Sequence, residues 1–219
     1  MKNELNQQKE HWNSGKVDKR RKATHEVIRT FAQNKIAEVA KMIDFQQVET
    51  GLDIGCGNGY FTYYLQDVCD ITGGDFSERI LANNPVEKVA RVDVCDIQFA
   101  NNSYDLVFAA NLLHHVVDLE KAVSEMARVC SKYVVIIEPS LYNPLFLGLC
   151  TLSKYERLAL KNRPSKIIKC AQASGLKLLD SYCHGTVLPN VTPLAALNIL
   201  KMFDRRFFLG LYRILIFEK

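Results

Sequence analysis

Gly55, Gly57 and Gly59 alternate within "LDIGCGNGYF", where a short apolar run gives way to a stretch with helix-forming residues. Three glycines so spaced let the backbone pass close to a ligand, because a side chain at Gly55 or Gly57 would occupy the ligand's volume. Acids stand nearby: Asp53 inside the first apolar run, and Asp75, twenty-two residues on, at the end of a second. A carboxylate placed like Asp75 can accept two charge-assisted hydrogen bonds from vicinal hydroxyls such as those of a ribose. Asp93 and Val94 end a third run, with Asp96 as a rival acid, and Asn111 follows a fourth. His114 and His115 come just after, where an imidazole could take a proton from a hydroxyl or amine. The pattern suits a nucleotide. It does not complete the dinucleotide fingerprint, whose third glycine would fall where Tyr60 stands.

The elements that must position these residues follow from periodicity and turn chemistry. Residues 23–43 read as helix, with Ile36, Val39, Ala40 and Ile43 on one face and a break near Gln33–Asn34. Strands are expected at Gly51–Ile54, Cys69–Phe76, Val89–Val94, Tyr104–Ala110 and Tyr133–Glu138, the last placed centrally for its unbroken apolar run. Helices are expected at Tyr60–Val68, at Glu78–Asn83 behind a Ser77 cap, and at Leu119–Val129. This alternation predicts an α/β fold with a doubly wound parallel sheet. Ligands bind such a sheet beyond the carboxyl ends of its strands, where the residues singled out above fall. Past Pro139 the rhythm changes. A stretch without a clear strand is followed by a helix over Ser165–Ser174, a strand over Lys177–Cys183 and a helix over Leu194–Phe203. A final strand in "LYRILIFEK" is expected at an edge of the sheet.

Taken in order, the motifs resemble those of the class I S-adenosylmethionine-dependent methyltransferases of the small-molecule type. "LDIGCGNGYF" resembles the family's first motif, "GGDFSERIL" its second and "VDVCDIQFANNSYDLV" its third region. "NLLHHVVDLEKAVSEMARV" is similar to the helix after strand four, and "IIEPSLYNP" to the end of strand five. "DIQF" departs from the Leu-Pro-Phe segment of many relatives. The resemblance implies a Rossmann-like, seven-stranded, mostly parallel sheet with helices on both faces, an antiparallel last strand and an N-terminal helical lid. It implies S-adenosyl-L-methionine as cofactor, S-adenosyl-L-homocysteine as product, and in-line methyl transfer to a small-molecule acceptor. By the same resemblance, Gly55, Cys56 and Gly57 pass the amino-acid and ribose ends of the cofactor, and Asp53 lies near its ammonium. Asp75 holds the ribose, and Phe76 packs on the adenine or in the core. Asp93 and the Val94 N–H meet the adenine, and the Asn111 carbonyl meets the methionine end.

Composition narrows the remaining choices. The N-terminus is polar and the longest apolar runs are too short for a transmembrane span, so no export signal or span is expected. Seven scattered cysteines without a Cys-x-x-Cys pair read as reduced thiols of a cytoplasmic protein, and no metal site is expected. One domain is expected over 1–219, with a lid at 1–45, a cofactor-binding core at 46–139 and a cap with C-terminal strands at 140–219. Residues 151–219 carry twelve Lys/Arg against four Asp/Glu, or +8, and residues 42–150 six against fifteen, or −9. Residues 1–41 carry ten against five, or +5. Basic flanks around an acidic middle favour an anionic substrate or surface, and the segment Leu141–Tyr155, read as a second cap or a buried connector, an apolar or aromatic acceptor; Tyr142, Phe146 and His184 are candidate substrate contacts. Trp12, Arg20, Arg21, Arg29 and Lys35 belong to the lid, and one of these cations could meet the cofactor carboxylate. The same flanks could serve a tRNA or DNA methyltransferase, but "EPSLY" is not an Asn/Asp-Pro-Pro-aromatic motif and no RNA-binding module is recognisable. A cofactor-binding module without turnover is also compatible with such a site. So is a nicotinamide-linked oxidoreductase, which Tyr60 disfavours.

Overall fold

The structure, a computed structural model, describes residues 19–153 and 156–219. Trp12 of the expected lid and Tyr155 at the end of the expected cap lie outside the described residues. The chain enters through helix α1 (Glu26–Val39), which runs unbroken through Gln33–Asn34. Then follow β1 (Thr50–Ile54), α2 (Thr62–Leu65), β2 (Asp70–Asp75), α3 (Glu78–Leu81), β3 (Val89–Arg91) and β4 (Tyr104–Ala110). The second half holds α4 (Leu119–Val129), β5 (Cys130–Pro139), α5 (Pro144–Leu152), α6 (Pro164–Ala173), β6 (Lys177–His184), α7 (Leu194–Phe203) and β7 (Tyr212–Glu218).

Local chemistry sets several boundaries. The Ser77 hydroxyl accepts from the Ile80 N–H at 3.4 Å, and the Asp118 carboxylate from the Lys121 N–H at 3.0 Å. Each thereby satisfies a donor that the first helical turn leaves orphaned. Asn143 caps α5 in the same way, accepting from the Leu145 N–H at 3.0 Å.

The seven strands form one sheet in the order β3-β2-β1-β4-β5-β7-β6. The first five pair in parallel, and β7 is antiparallel to both β5 and β6. The order reverses between β1 and β4, which opens a crevice at their carboxyl ends. The final strand is not an edge strand. It is inserted between β5 and β6, with Ile214, Leu215, Ile216 and Phe217 fully buried, because a continuous apolar run needs cover on both faces. Strand alternation splits the core into two layers. Leu52, Val107, Val134 and Ile136 face α4 and α6, whereas Leu106, Phe108, Val135 and Ile137 face Phe31 of α1 and Phe61. Among the described residues no helix is long and apolar enough to cross a membrane, and all seven cysteines are free.

Candidate active site

The glycine turn leaves β1 at the crevice. Gly55, Gly57 and Gly59 have φ of +74°, +55° and +83°, a region that side-chain-bearing residues rarely adopt. The turn is fastened to β2, since the Gly55 and Cys56 N–H groups both donate to the Gly74 carbonyl, at 2.7 and 3.0 Å. The glycines differ in what a side chain would meet. A Cβ on Gly55 would strike Leu112 at 2.7 Å, and one on Gly59 would strike Asn84 at 2.5 Å and Pro85 at 2.8 Å. A Cβ on Gly57 would meet nothing nearer than Ile80 at 3.8 Å and Arg20 at 3.9 Å. Protein packing therefore explains Gly55 and Gly59, whereas a Cβ on Gly57 would rest at ordinary contact distance from Ile80 and Arg20, so packing does not demand a glycine there.

Asp75 ends β2 beside Gly57. Its two oxygens accept from the Gly57 N–H and the Ser77 N–H, each at 3.0 Å, which aims the carboxylate and leaves lone pairs for further donors. Burial pushes its pKa up, and the backbone N–H groups and Arg20 oppose that. Asp53 is buried on the inner side of the turn and accepts from the Thr62 hydroxyl at 2.6 Å; burial lifts it to about 7. It braces the turn against the first residue of α2. Cys56 is buried with its thiol against the Asn84 amide at 3.4 Å, and burial holds the thiol well above its ordinary range. Phe76 is half-buried, and Val94 is buried within the α4-side core layer. Asp93 is exposed; its carboxylate accepts from the Cys95 N–H at 2.9 Å while its carbonyl accepts from the Asp96 N–H. Asn111 stands at φ +54°, with its N–H donated to the Ile137 carbonyl at 2.8 Å.

Of the four lid cations within the described residues, Arg20 is the one at the turn. It lies in electrostatic reach of Tyr60, Asp75 and Glu156, although burial pulls its pKa down. Arg21 donates instead to the Pro189 carbonyl at 2.9 Å. Lys35 is fully buried against the rings of Phe31 and Tyr212. The segment before α1 is pinned by Asn58, which donates to the Arg21 carbonyl at 3.0 Å, and by Tyr64, which donates to the Ala23 carbonyl at 2.8 Å. The Tyr60 hydroxyl meets the Asn190 side chain at 2.6 Å, so the Arg21 and Asn190 segments meet over the turn.

The two histidines part company. His114 is buried with Nδ1 against Glu138 and Nε2 at 3.4 Å from Glu156. Burial lowers its pKa, but the two carboxylates outweigh this and hold it at about 9. With both ring nitrogens donating, His114 has no lone pair left to accept a proton, so the structure makes it a fastener rather than a base. His115 is half-buried, its ring 3.9 Å from that of His114 between centroids. His114, His115 and Glu156 bring nitrogen and carboxylate atoms within 4.8 Å of one another, but an imidazolium at His114 has no lone pair to give a cation.

Sequence reasoning missed Glu138 and Glu156. Glu138 also accepts from the N–H groups of Leu112 and Leu113 at 3.0 and 2.8 Å, fixing the turn after β4. Its signal was present, as an acid at the end of the most apolar strand. Asn162 completes the clamp, donating to the Leu113 and Val116 carbonyls at 2.8 and 2.7 Å. Among the expected substrate contacts, Tyr142 is exposed and packs on Phe208, and Phe146 packs on Tyr212. His184 is not on the rim. It is 1% exposed, and burial and Lys35 together lower its pKa to about 4.

Residues 52–137 match the family model described as a methyltransferase domain. A phosphatidylethanolamine N-methyltransferase of Cereibacter sphaeroides is 33% identical over 91 residues, covering 37% of this chain and 45% of that protein. A human mitochondrial protein, arginine-hydroxylase NDUFAF5, is 26% identical over 155 residues, covering 68% of this chain and 38% of that protein. The chain thus spans less than half the length of both. Among solved structures, a SAM-dependent methyltransferase of Thermotoga maritima, titled a possible histamine N-methyltransferase, superposes with a TM-score of 0.64. It is 17% identical and the match covers 88% of this chain and 91% of that one, a likeness of fold.

Proposed function

We propose, for a chain that by domain and fold is a class I S-adenosylmethionine-dependent methyltransferase, that it transfers the sulfonium methyl to a small-molecule acceptor at the β1/β4 crevice. The observation that carries the reading is Gly57, a glycine that protein packing does not require, set between the Asp75 carboxylate and the Arg20 guanidinium. When bound, S-adenosylmethionine supplies an electrophilic methyl group.

The chain's own residues supply binding and alignment, which can account for much of the rate of an in-line displacement. Asp75 accepts from the ribose hydroxyls, in an orientation set by the Gly57 and Ser77 N–H groups. Arg20 pairs with the cofactor's carboxylate, and Asp53 holds the turn in shape. Phe76, Asp93 and the Val94 N–H take the adenine side; the Asn111 carbonyl takes the methionine end. Phe146 and Tyr142 belong to the acceptor side. His115 is the histidine with a role toward the acceptor, since His114 is engaged by two carboxylates.

Isothermal calorimetry with S-adenosylmethionine, followed by a screen of small-molecule acceptors with methyl-labelled cofactor, tests this. Saturable binding and label transfer to a small molecule are the expected results. Absence of binding sinks the reading, and label passing only to tRNA or DNA overturns the small-molecule part.

A further inference from the structure

The stretch Arg20–Lys22 is fastened both to the glycine turn and to the loop before α7. Asn58, inside the turn, donates its amide to the Arg21 carbonyl at 3.0 Å. From the other side, the Arg21 N–H donates to the Asn190 side-chain oxygen at 3.2 Å, and the Arg21 guanidinium to the Pro189 carbonyl at 2.9 Å. The Tyr60 hydroxyl closes the ring, donating to the same Asn190 oxygen at 2.6 Å. Two donors converging on one atom fix the orientation of the Asn190 amide, because its nitrogen end accepts nothing. Arg21 is thus held by residues 37 and 169 positions away in the chain.

The character of the anchoring changes at Ala23. Ala23 is buried and its carbonyl accepts from the buried Tyr64 hydroxyl, and beyond it Val27, Ile28 and Phe31 of α1 are fully buried. The four bonds around Arg21 are instead exposed or half-buried. A segment held by solvent-facing hydrogen bonds opens at much lower free energy than one held by a packed apolar face. Lys22–Ala23 is therefore a hinge, before which the strap can swing while α1 stays docked. Arg20 rides on that strap. Its Nη1 lies 3.9 Å from the place of a Cβ on Gly57, and its charge is in reach of Asp75. We propose that Tyr60 and Asn190 are positioning residues that clasp Arg20 over the cofactor through Arg21, so that the opening of this clasp sets how long the cofactor stays bound. The proposal rests on the reading of Gly57, Asp75 and Arg20 as the cofactor site. It also gives Tyr60 a task. Where a dinucleotide fingerprint would have its third glycine, this chain carries a hydroxyl that reaches the opposite loop, which a glycine cannot do.

The test is the dissociation rate of S-adenosyl-L-homocysteine from the full chain, followed by surface plasmon resonance. Tyr60→Phe and Asn190→Ala each remove one partner of the clasp, and each is expected to raise the off-rate at least ~5-fold without lowering the on-rate. Asn190→Asp keeps an oxygen acceptor for both donors beside the Arg21 charge, and is expected to retain the wild-type off-rate. A merely structural role at this exposed position would not separate Asn190→Ala from Asn190→Asp. Unchanged thermal melts establish that the variants fold. Wild-type off-rates in both Tyr60→Phe and Asn190→Ala overturn the clasp and leave the cofactor site standing. An equal rise in Asn190→Ala and Asn190→Asp overturns it as well. A wild-type chain that binds no S-adenosyl-L-homocysteine overturns the cofactor reading together with the clasp, so the two failures are told apart.

Discussion

Asp75 and His114 show how far a residue's type and position carry an argument. Asp75 is legible because its position after β2 and its distance from the glycines are both sequence properties. Its orientation is not, since the bond from the Gly57 N–H spans eighteen residues. Replacing it with Asn keeps the shape and removes the charge that strengthens bonds from hydroxyls. Asp75→Asn is expected to weaken S-adenosylmethionine binding by ~1.5 kcal/mol, roughly tenfold, by calorimetry. Unaltered affinity would move the ribose elsewhere. His114 is legible only as an imidazole beside a strand end. What it does depends on Glu138 and Glu156, which lie 24 and 42 residues further along the chain, and no local pattern announces a contact at that separation.

Elements are readable where one rule dominates and obscure where two compete. β4, α4 and α7 carry the boundaries that periodicity predicts, and Ser77 caps α3 as its residue type implies. The helix after the glycine turn is shorter than its pattern suggests. It spans only Thr62–Leu65, because the chain must turn back at once toward Asp70 to pair with β1. Helix α5 is not legible at all, since an uncharged apolar run has no period to detect. The turn itself offers a sharper test. Gly57→Ala sets a methyl group at ordinary contact distance from Ile80 and Arg20 at φ +55°, so about 1–2 kcal/mol of backbone strain is expected and no clash. The variant should fold, with a modestly lower melting temperature, yet bind S-adenosylmethionine at least ~10-fold more weakly. Gly59→Ala drives its methyl into Asn84 and Pro85, so its melting temperature should fall further. Equal cofactor affinities for wild type and Gly57→Ala would deny that the ligand passes there.

At the scale of the whole molecule, all seven strands belong to one sheet, with the crevice in its parallel part and β7 and β6 in its antiparallel part. The interior placement of β7 is part of this. Read alone, a terminal strand goes to an edge; its backbone instead pairs on both sides, with β5 and β6, while its four fully buried side chains are covered on both faces. His114 joins the turn after β4, the end of β5 and the segment beyond α5, so its charge state bears on global stability. Its folded pKa of about 9 lies above the ordinary value of 6.5, raised by Glu138 and Glu156 against the pull of burial. A histidine raised in this way stabilises fully below pH 6.5 and loses that contribution as pH climbs through about 9. Lys35, lowered to about 8 by burial against the pull of Asp204, acts in the opposite direction only above pH 8. Asp53, lifted to about 7 by burial, titrates between pH 6.5 and 8 as well, but it does so in any variant that keeps it. Comparison with His114→Asn, whose neutral amide cannot titrate, therefore isolates the histidine in that window. Across it, urea unfolding should show the wild type losing about 2 kcal/mol relative to the variant. Parallel pH profiles for the two proteins would show that the folded chain does not hold His114 as an imidazolium.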